Sequence, residues 1–264
     1  MLGGFTGLAN KSTGDWGEKM LNTVASQSIR HLFSKSGDVA VAVRCNPSSK
    51  LLQGSIDSFK MNGRDLVIRR DFQVKEMSFE TDAVAIDVSA LMGGKLRLRQ
   101  PTQAVAKVIL TEEAINAAFD AELVRKKLED VESEALLNLS GGEPVSFKRV
   151  EVQLLQDNKV KIFALTDLPN QNDVPIRLTA TLAVEKRRRI LFSDPVFEPE
   201  EVDESYLYLS KLLTETFAGI LNEMVDLDRF DLDGVMMRIN RLETQGKELV
   251  FSGYAQIDHF PGVG

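Results

Sequence analysis

The sequence predicts an α+β fold in which long antiparallel β-strands and amphipathic helices alternate along one chain. Three observations carry that reading. A short text occurs twice, Gly63-Arg64-Asp65-Leu66-Val67-Ile68 and Gly246-Lys247-Glu248-Leu249-Val250-Phe251, each copy a glycine turn running into a strand, as in a β-hairpin. Between the glycine turns, apolar residues recur at every second position, the period of a half-buried strand. Three other segments carry apolar residues three and four apart, the period of a helix with one buried face.

Taken in order, residues 1–14 are Gly-rich and expected to be flexible. Trp16, Met20, Leu21, Val24, Ala25, Ile29, Leu32 and Phe33 then form a helical stripe behind Asp15 as N-cap. Val39, Val41 and Val43 alternate along a strand that ends near Asn46-Pro47. Strands are expected over 56–61, 66–68, 72–79 and 96–98, separated by turns at Asn62-Gly63 and Gly93-Gly94.

After Pro101 a strand over 104–110 leads into Thr111-Glu112-Glu113, a capping residue followed by acids that suit the positive end of a helix. That helix is expected to run to about residue 128 with Ile115, Ala118, Phe119, Leu123 and Leu128 on its apolar stripe. Gly141-Gly142 closes the connection. Strands over 145–155 and 160–165 join at a tight turn, Asp157-Asn158-Lys159. Ile176, Leu178, Ala180, Leu182 and Val184 alternate without a break, the longest strand signal in the chain. An acidic loop over 198–204 precedes the strongest helix, striped by Tyr206, Leu209, Leu213, Phe217, Ile220, Leu221 and Met224, and residues 227–257 return to strands. Nothing in the composition marks an interdomain linker, so residues 1–264 are expected to form one domain with pseudo-symmetric halves.

Composition narrows the function. With 43% hydrophobic and 27% charged residues the chain can bury a sizeable core, and a net charge of −7 argues against nucleic acid as a partner. Cys45 is the sole cysteine, which rules out an intrachain disulfide and a cysteine-built metal site and suits a reducing compartment. No apolar run reaches the roughly 18 residues of a membrane span, and the N-terminus lacks a basic n-region. The expected location is the cytoplasm, with contact to a membrane surface from outside it.

Catalysis has little footing. The only histidines, His31 and His259, lie in a helix stripe and near the C-terminus, and no nucleophile elbow accompanies them. The acidic run Asp226, Asp228, Asp231, Asp233, Gly234 misses the calcium-loop spacing and alternates with apolar residues instead. The glycine pairs lack the lysine of a phosphate loop and the dinucleotide spacing. The sequence therefore implies no catalytic residues, no metal and no cofactor. Lys186, Arg187, Arg188 and Arg189 form the one dense basic cluster, read either as contact with an anionic membrane surface or as a solvated hairpin tip.

The stretch from Asp226 through Gly234 to Val235, with Arg241-Leu-Glu-Thr-Gln-Gly-Lys-Glu-Leu-Val-Phe-Ser-Gly-Tyr254, resembles the LmeA-like phospholipid-binding family, as do Pro47-Ser-Ser-Lys-Leu-Leu-Gln-Gly-Ser-Ile-Asp57, Gln100-Pro-Thr102 and Leu110-Thr-Glu112. The resemblance spans nearly the whole chain and is closest to a branch from photosynthetic bacteria without an export signal. It implies a tubular lipid-binding-like fold, a long curved antiparallel sheet wrapped around amphipathic helices. It also implies non-enzymatic binding of phospholipid or another acyl lipid in an apolar groove between sheet and helix, with Leu209, Leu213, Phe217, Ile220 and Met224 as the lipid-contacting side chains. The alternative is a protein–protein interaction scaffold without bound lipid.

Overall fold

The computed structural model describes residues 12–30, 33–68, 71–169, 171–200, 202–227 and 234–259. The chain begins with α1 (Ser12–Arg30), β1 (Lys35–Arg44), α2 (Ser49–Leu52), β2 (Ser55–Ile56), β3 (Ser58–Ile68), β4 (Phe72–Thr81), β5 (Val84–Ala85), α3 (Val88–Met92) and β6 (Thr102–Thr111). Three helices follow, α4 (Glu112–Phe119), α5 (Glu122–Arg125) and α6 (Glu134–Ser140). The remainder is β7 (Ser146–Leu154), β8 (Lys159–Leu168), β9 (Gln171–Glu185), β10 (Arg189–Phe197), α7 (Leu207–Met224), β11 (Val235–Gln245) and β12 (Glu248–Ile257).

The strands assemble into two open antiparallel sheets and a short ribbon. The larger sheet has the order β1-β3-β4-β6-β12-β11, the smaller β10-β9-β8-β7, and β2 pairs with β5. The C-terminal hairpin returns to the first sheet, because β12 pairs with β6 from Glu248 opposite Thr111 to Ile257 opposite Thr102. Period-two patterning is what buries one face. Along β9, Val174, Ile176, Leu178, Ala180 and Leu182 are buried while the intervening residues are half-exposed. One cluster of buried side chains runs from Leu21 and Met61 under the first sheet to Ile176 and Phe217 at the second.

Both sheets are open, so each has two edges, and an asparagine meets each of the four. Asn22 Oδ1 on α1 accepts the Val43 amide of β1 at 2.7 Å. Asn116 on α4 accepts the Val152 amide of β7 at 2.7 Å and donates back to its carbonyl at 3.0 Å. Asn222 on α7 accepts the Phe192 amide of β10 at 2.6 Å. Asn158, in the β7–β8 turn, accepts the Thr244 amide of β11 at 2.9 Å and donates to the Leu242 carbonyl at 3.2 Å. A side-chain amide carries one donor and one acceptor side, so it can occupy an edge as a neighbouring strand would.

Several local expectations need correction. Gly63 is not a turn: β3 runs unbroken through it, paired with Val39 and Met77. The glycine instead leaves room for Leu66, whose Cδ1 lies 2.9 Å from where a Cβ would stand, and the irregularity comes two residues later at Asp65, whose φ is 49°. Gly246, with φ 62°, does make the β11–β12 turn. Helix α1 opens before Asp15, at Ser12, and the helix expected over 112–128 breaks at Asp120 into α4 and α5. Helices α2, α3 and α6 escaped detection because four to seven residues are too few to show a helical period.

Candidate functional site

Helix α7 forms because leucines and other strong helix formers fill it, and because Asp203 Oδ1 accepts from the Ser205 amide at 2.9 Å and its hydroxyl at 2.6 Å, which sets the turn before it. It packs on β9 and β10, and Ser210, Leu213, Thr214, Phe217, Ala218, Leu221 and Met224 face inward. Of the five side chains expected to contact lipid, Leu213 and Phe217 are 0% exposed and Met224 is buried, whereas Leu209 and Ile220 are half-buried at the margins. The stripe is therefore a packed surface with two accessible borders. Two of its inward residues are polar: the Ser210 and Thr214 hydroxyl oxygens, one turn apart, are buried and lack a hydrogen-bond partner among the described residues.

The space adjoining this packed stripe is a groove of about 540 Å³ between the α4–α5 region and the start of β7. Its apolar floor is Phe119, Leu128, Phe147 and Val150; its rim carries Asp120, Arg125, Glu129, Asp130, Lys148 and Arg149. The Phe147 ring lies 4.7 Å from that of Phe217 at an interplanar angle of 34°, so the floor of the groove and the core of the α7 stripe are one aromatic contact. A β-bulge brings the floor together. The β7–β8 register shifts between Lys148 and Glu151, and Arg149 sits at φ 52°. Phe147 and Val150, three apart, are thereby both buried, while Lys148 and Arg149 are both exposed.

Charge on the rim is unevenly satisfied. Lys148 Nζ lies 2.7 Å from Asp167 and 3.0 Å from Asp173, and Arg125 pairs with Glu129 at 3.2 Å. The hydrogen bond from Lys148, joined by one from the Asp173 amide, holds the Asp167 carboxyl below its ordinary range; the same pairing with Asp167, then Asp173, raises the Lys148 ammonium. Arg149 has no carboxylate partner among the described residues. Sequence reasoning missed this groove because its signal is a broken period, Phe147 and Val150 falling out of step in a strand read as regular.

The basic cluster does lie at a hairpin tip, the β9–β10 turn, with Lys186 and Arg187 at φ 48° and 60°. Its members differ. The Arg187 guanidinium bonds Asn240 and stands 5.8 Å over the Tyr254 ring, and its carbonyl accepts the Ile239 amide. Arg189 lies between Glu185 at 3.5 Å and the buried Asp226 at 3.6 Å. Arg188 is half-buried, and its carbonyl accepts the Leu227 amide at 2.8 Å. Lys186 is exposed.

His259 packs against the Gly234 backbone and Cys45 is buried, its thiol directed at the Ser55 carbonyl; His31, Asp228, Asp231 and Asp233 lie outside the described residues. Among the described residues no helix is long and apolar enough to cross a membrane, and no group of three acidic, histidine or cysteine side chains is gathered for a metal.

No curated protein and no solved structure matches this chain. A family model described as LmeA-like phospholipid-binding does match it, over residues 13–253. That span takes in α1 nearly whole, both sheets up to the middle of β12, the groove and α7, and on it the chain belongs to the LmeA-like phospholipid-binding family.

Proposed function

We propose that this protein binds a phospholipid or a similar acyl lipid without chemical change to it, taking an acyl chain into the groove over Phe119, Leu128, Phe147 and Val150 and the phosphate beside Arg149. The observation that carries the reading is the groove itself: its volume suits part of a lipid, its floor is apolar, and it ends on the α7 stripe. Each methylene buried there contributes about 0.8 kcal/mol before ordering costs, so a partial chain suffices for useful affinity. Phe217 backs the groove, and Leu209, Leu213, Ile220 and Met224 mark the path a longer chain would follow along α7, where the unspent Ser210 and Thr214 hydroxyls would donate to an ester carbonyl. In the cluster at the β9–β10 turn, the ties of Arg187 to Asn240 and of Arg189 to Asp226 favour the hairpin-tip reading over contact with a membrane surface.

Native mass spectrometry of gently purified protein, with solvent extraction and lipid identification, tests the reading. A defined phospholipid at near-stoichiometric load is expected. Protein of bare mass, still bare after incubation with mixed vesicles, transfers the assignment to a protein-interaction scaffold.

A further inference from the structure

A second feature shares no residue with the groove: the β2–β5 ribbon, which lies beside Thr102, at the end of β6 opposite to the one that leads into α4. The ribbon pairs Ser55 with Ala85 and Ile56 with Val84, and residues 97–99 extend it: the Asp87 amide donates to the Arg97 carbonyl, the Arg99 amide to the Ala85 carbonyl, and Ile86 bridges Leu98. Helix α2 enters the ribbon and α3 connects its other two segments. The chain leaving α2 is tied to the start of α3, since the Ile86 amide bonds the Gly54 carbonyl at 2.8 Å and a Cβ on Gly54 would meet Val88 at 3.4 Å.

This end exposes apolar side chains that folding leaves unused. Leu52, the last residue of α2, and Met92, the last of α3, are each 80% exposed, more than any other large hydrophobic residue described. Beside them, residues 95–99 alternate strictly. Leu96 and Leu98 are buried, while Lys95, Arg97 and Arg99 are exposed on the opposite face. Among the described residues none of the three cations has a carboxylate partner; Arg99 reaches only the Gln53 carbonyl, at 3.5 Å. The nearby acids are otherwise engaged or few. Asp57 is paired with Lys50 at 2.6 Å, Asp87 accepts the Ser89 and Ala90 amides as the cap of α3, and Asp82 is exposed in the β4–β5 connection.

We propose that this end docks on an anionic bilayer, with Leu52 and Met92 entering the headgroup–acyl boundary and Lys95, Arg97 and Arg99 meeting lipid phosphates. Two aliphatic tips with a row of unpaired cations beside them, in a chain of net charge −7, complement an anionic interface in both respects. A solvated end would not need the apolar tips, and an apolar protein partner would not need the cations. The proposal deepens the lipid-binding reading and rests on it for its purpose, by placing that activity at a membrane. It involves no groove residue, so the two are separable.

Vesicle co-sedimentation tests it, comparing phosphatidylcholine vesicles with mixed phosphatidylcholine–phosphatidylglycerol vesicles at low and high salt. The triple variant Lys95→Gln, Arg97→Gln, Arg99→Gln is expected to bind the mixed vesicles roughly a hundredfold more weakly and to lose most of the salt dependence. The double variant Leu52→Ser, Met92→Ser is expected to lose roughly tenfold or more, with salt dependence kept. Lys186→Gln should leave binding near that of the parent. All these side chains are exposed, and unchanged melting temperatures confirm that the fold is kept. A fluorophore on Met92→Cys, Cys45 being buried, should brighten and shift to the blue with mixed vesicles.

Undiminished binding by the triple variant, or an indifferent fluorophore, overturns the proposal. So does loss of binding with Lys186→Gln alone, which assigns docking to the β9–β10 turn. A dimer dispersed by the double variant, with no form binding vesicles, assigns the face to a second copy. Uptake of a short-chain phospholipid below its micellar concentration reads the groove without any bilayer. Face variants are expected to take it up like the parent; if no form does, the lipid-binding reading fails while the vesicle result still decides docking.

Discussion

Asn158 and Thr244 hold the two sheets together by a reciprocal pair of hydrogen bonds: the Asn158 amide donates to Thr244 Oγ1 at 3.0 Å, and the Thr244 amide donates to Asn158 Oδ1 at 2.9 Å. Asn158 stands at φ 59° in the β7–β8 turn, beside Asp157 at φ 58°, while Thr244 lies on the outer strand of the other sheet. A turn that would otherwise only reverse the chain is thus a structural joint. The Asn158 carbonyl is also used, accepting the Leu182 amide at 2.7 Å.

Replacing Asn158 tests the joint. Asn158→Ala removes the side-chain bonds and adds the left-handed penalty for a residue with a plain Cβ, an expected cost of about 3 kcal/mol; Asn158→Gly spares the backbone and should cost about 2. Urea titration monitored by circular dichroism separates the two. Equal losses would mean that the backbone conformation contributes nothing.

The Phe147–Phe217 contact predicts a coupling between groove and helix. Each single change to Ala is expected to destabilise by about 3–4 kcal/mol, and a double-mutant cycle to show about 1 kcal/mol of interaction. Strict additivity in that cycle would separate the groove floor from the α7 stripe.

Filling the groove offers a gentler probe. Val150→Trp is expected to lower lipid load at least severalfold in the extracted protein, since the larger ring takes up volume in the groove that Val150 lines, with circular dichroism confirming that the fold is kept. Full lipid load in this variant would move the ligand elsewhere.

Gly253 predicts a steric limit. A Cβ there would sit 1.8 Å from the Arg238 carbonyl oxygen, across the register shift between Ile239 and Arg241. Gly253→Ala is expected to cost more than about 3 kcal/mol, visible as loss of soluble expression or a collapsed melting temperature.

Stability should depend on pH through the rim of the groove. Asp167, held below its ordinary range by Lys148, contributes stability above about pH 4 that is lost as pH falls through its lowered value. Lys148, raised by Asp167 and Asp173, contributes below about pH 10.4 and loses that contribution as pH rises through its raised value. Below about pH 4 Lys148→Met should flatten the acid limb of a denaturation profile relative to the parent, because Asp167 loses the partner that lowers it. An unchanged acid limb would remove Asp167 as its source.

Much of the architecture was legible because its signals are periodic. Alternation along Ile176–Val184 is β9, the stripe from Leu209 to Met224 is α7, and Thr111 caps α4 through the Ala114 amide as its residue type foretold. What escaped is what breaks a period. The bulge at Arg149 gathers the groove floor out of step, Gly63 serves packing instead of turning, and the two copies of the hexapeptide occupy different places, one within a strand and one at a true hairpin. The basic cluster was located at a tip from its flanking strands, yet the ties of Arg187 to Asn240 and of Arg189 to Asp226 are tertiary, and no local text announces them.

The four asparagines carry a further implication for how the molecule can move. A closed barrel has a seam made of a whole ladder, and parting it breaks every rung at once. Here each margin is met by an asparagine side chain and a few further bonds, among them the Leu154 amide to Glu112 and the Ile239 amide to the Arg187 carbonyl, at about 1 kcal/mol apiece. Three of the asparagines, Asn22, Asn116 and Asn222, belong to helices lying against the sheets, but the buried faces of α1 and α7 hold those helices far more strongly than the polar bonds do, so the margins loosen at small cost and whole helices do not. On the lipid-binding proposal, a long flexible guest enters past a loosened margin, with no need to unravel a sheet.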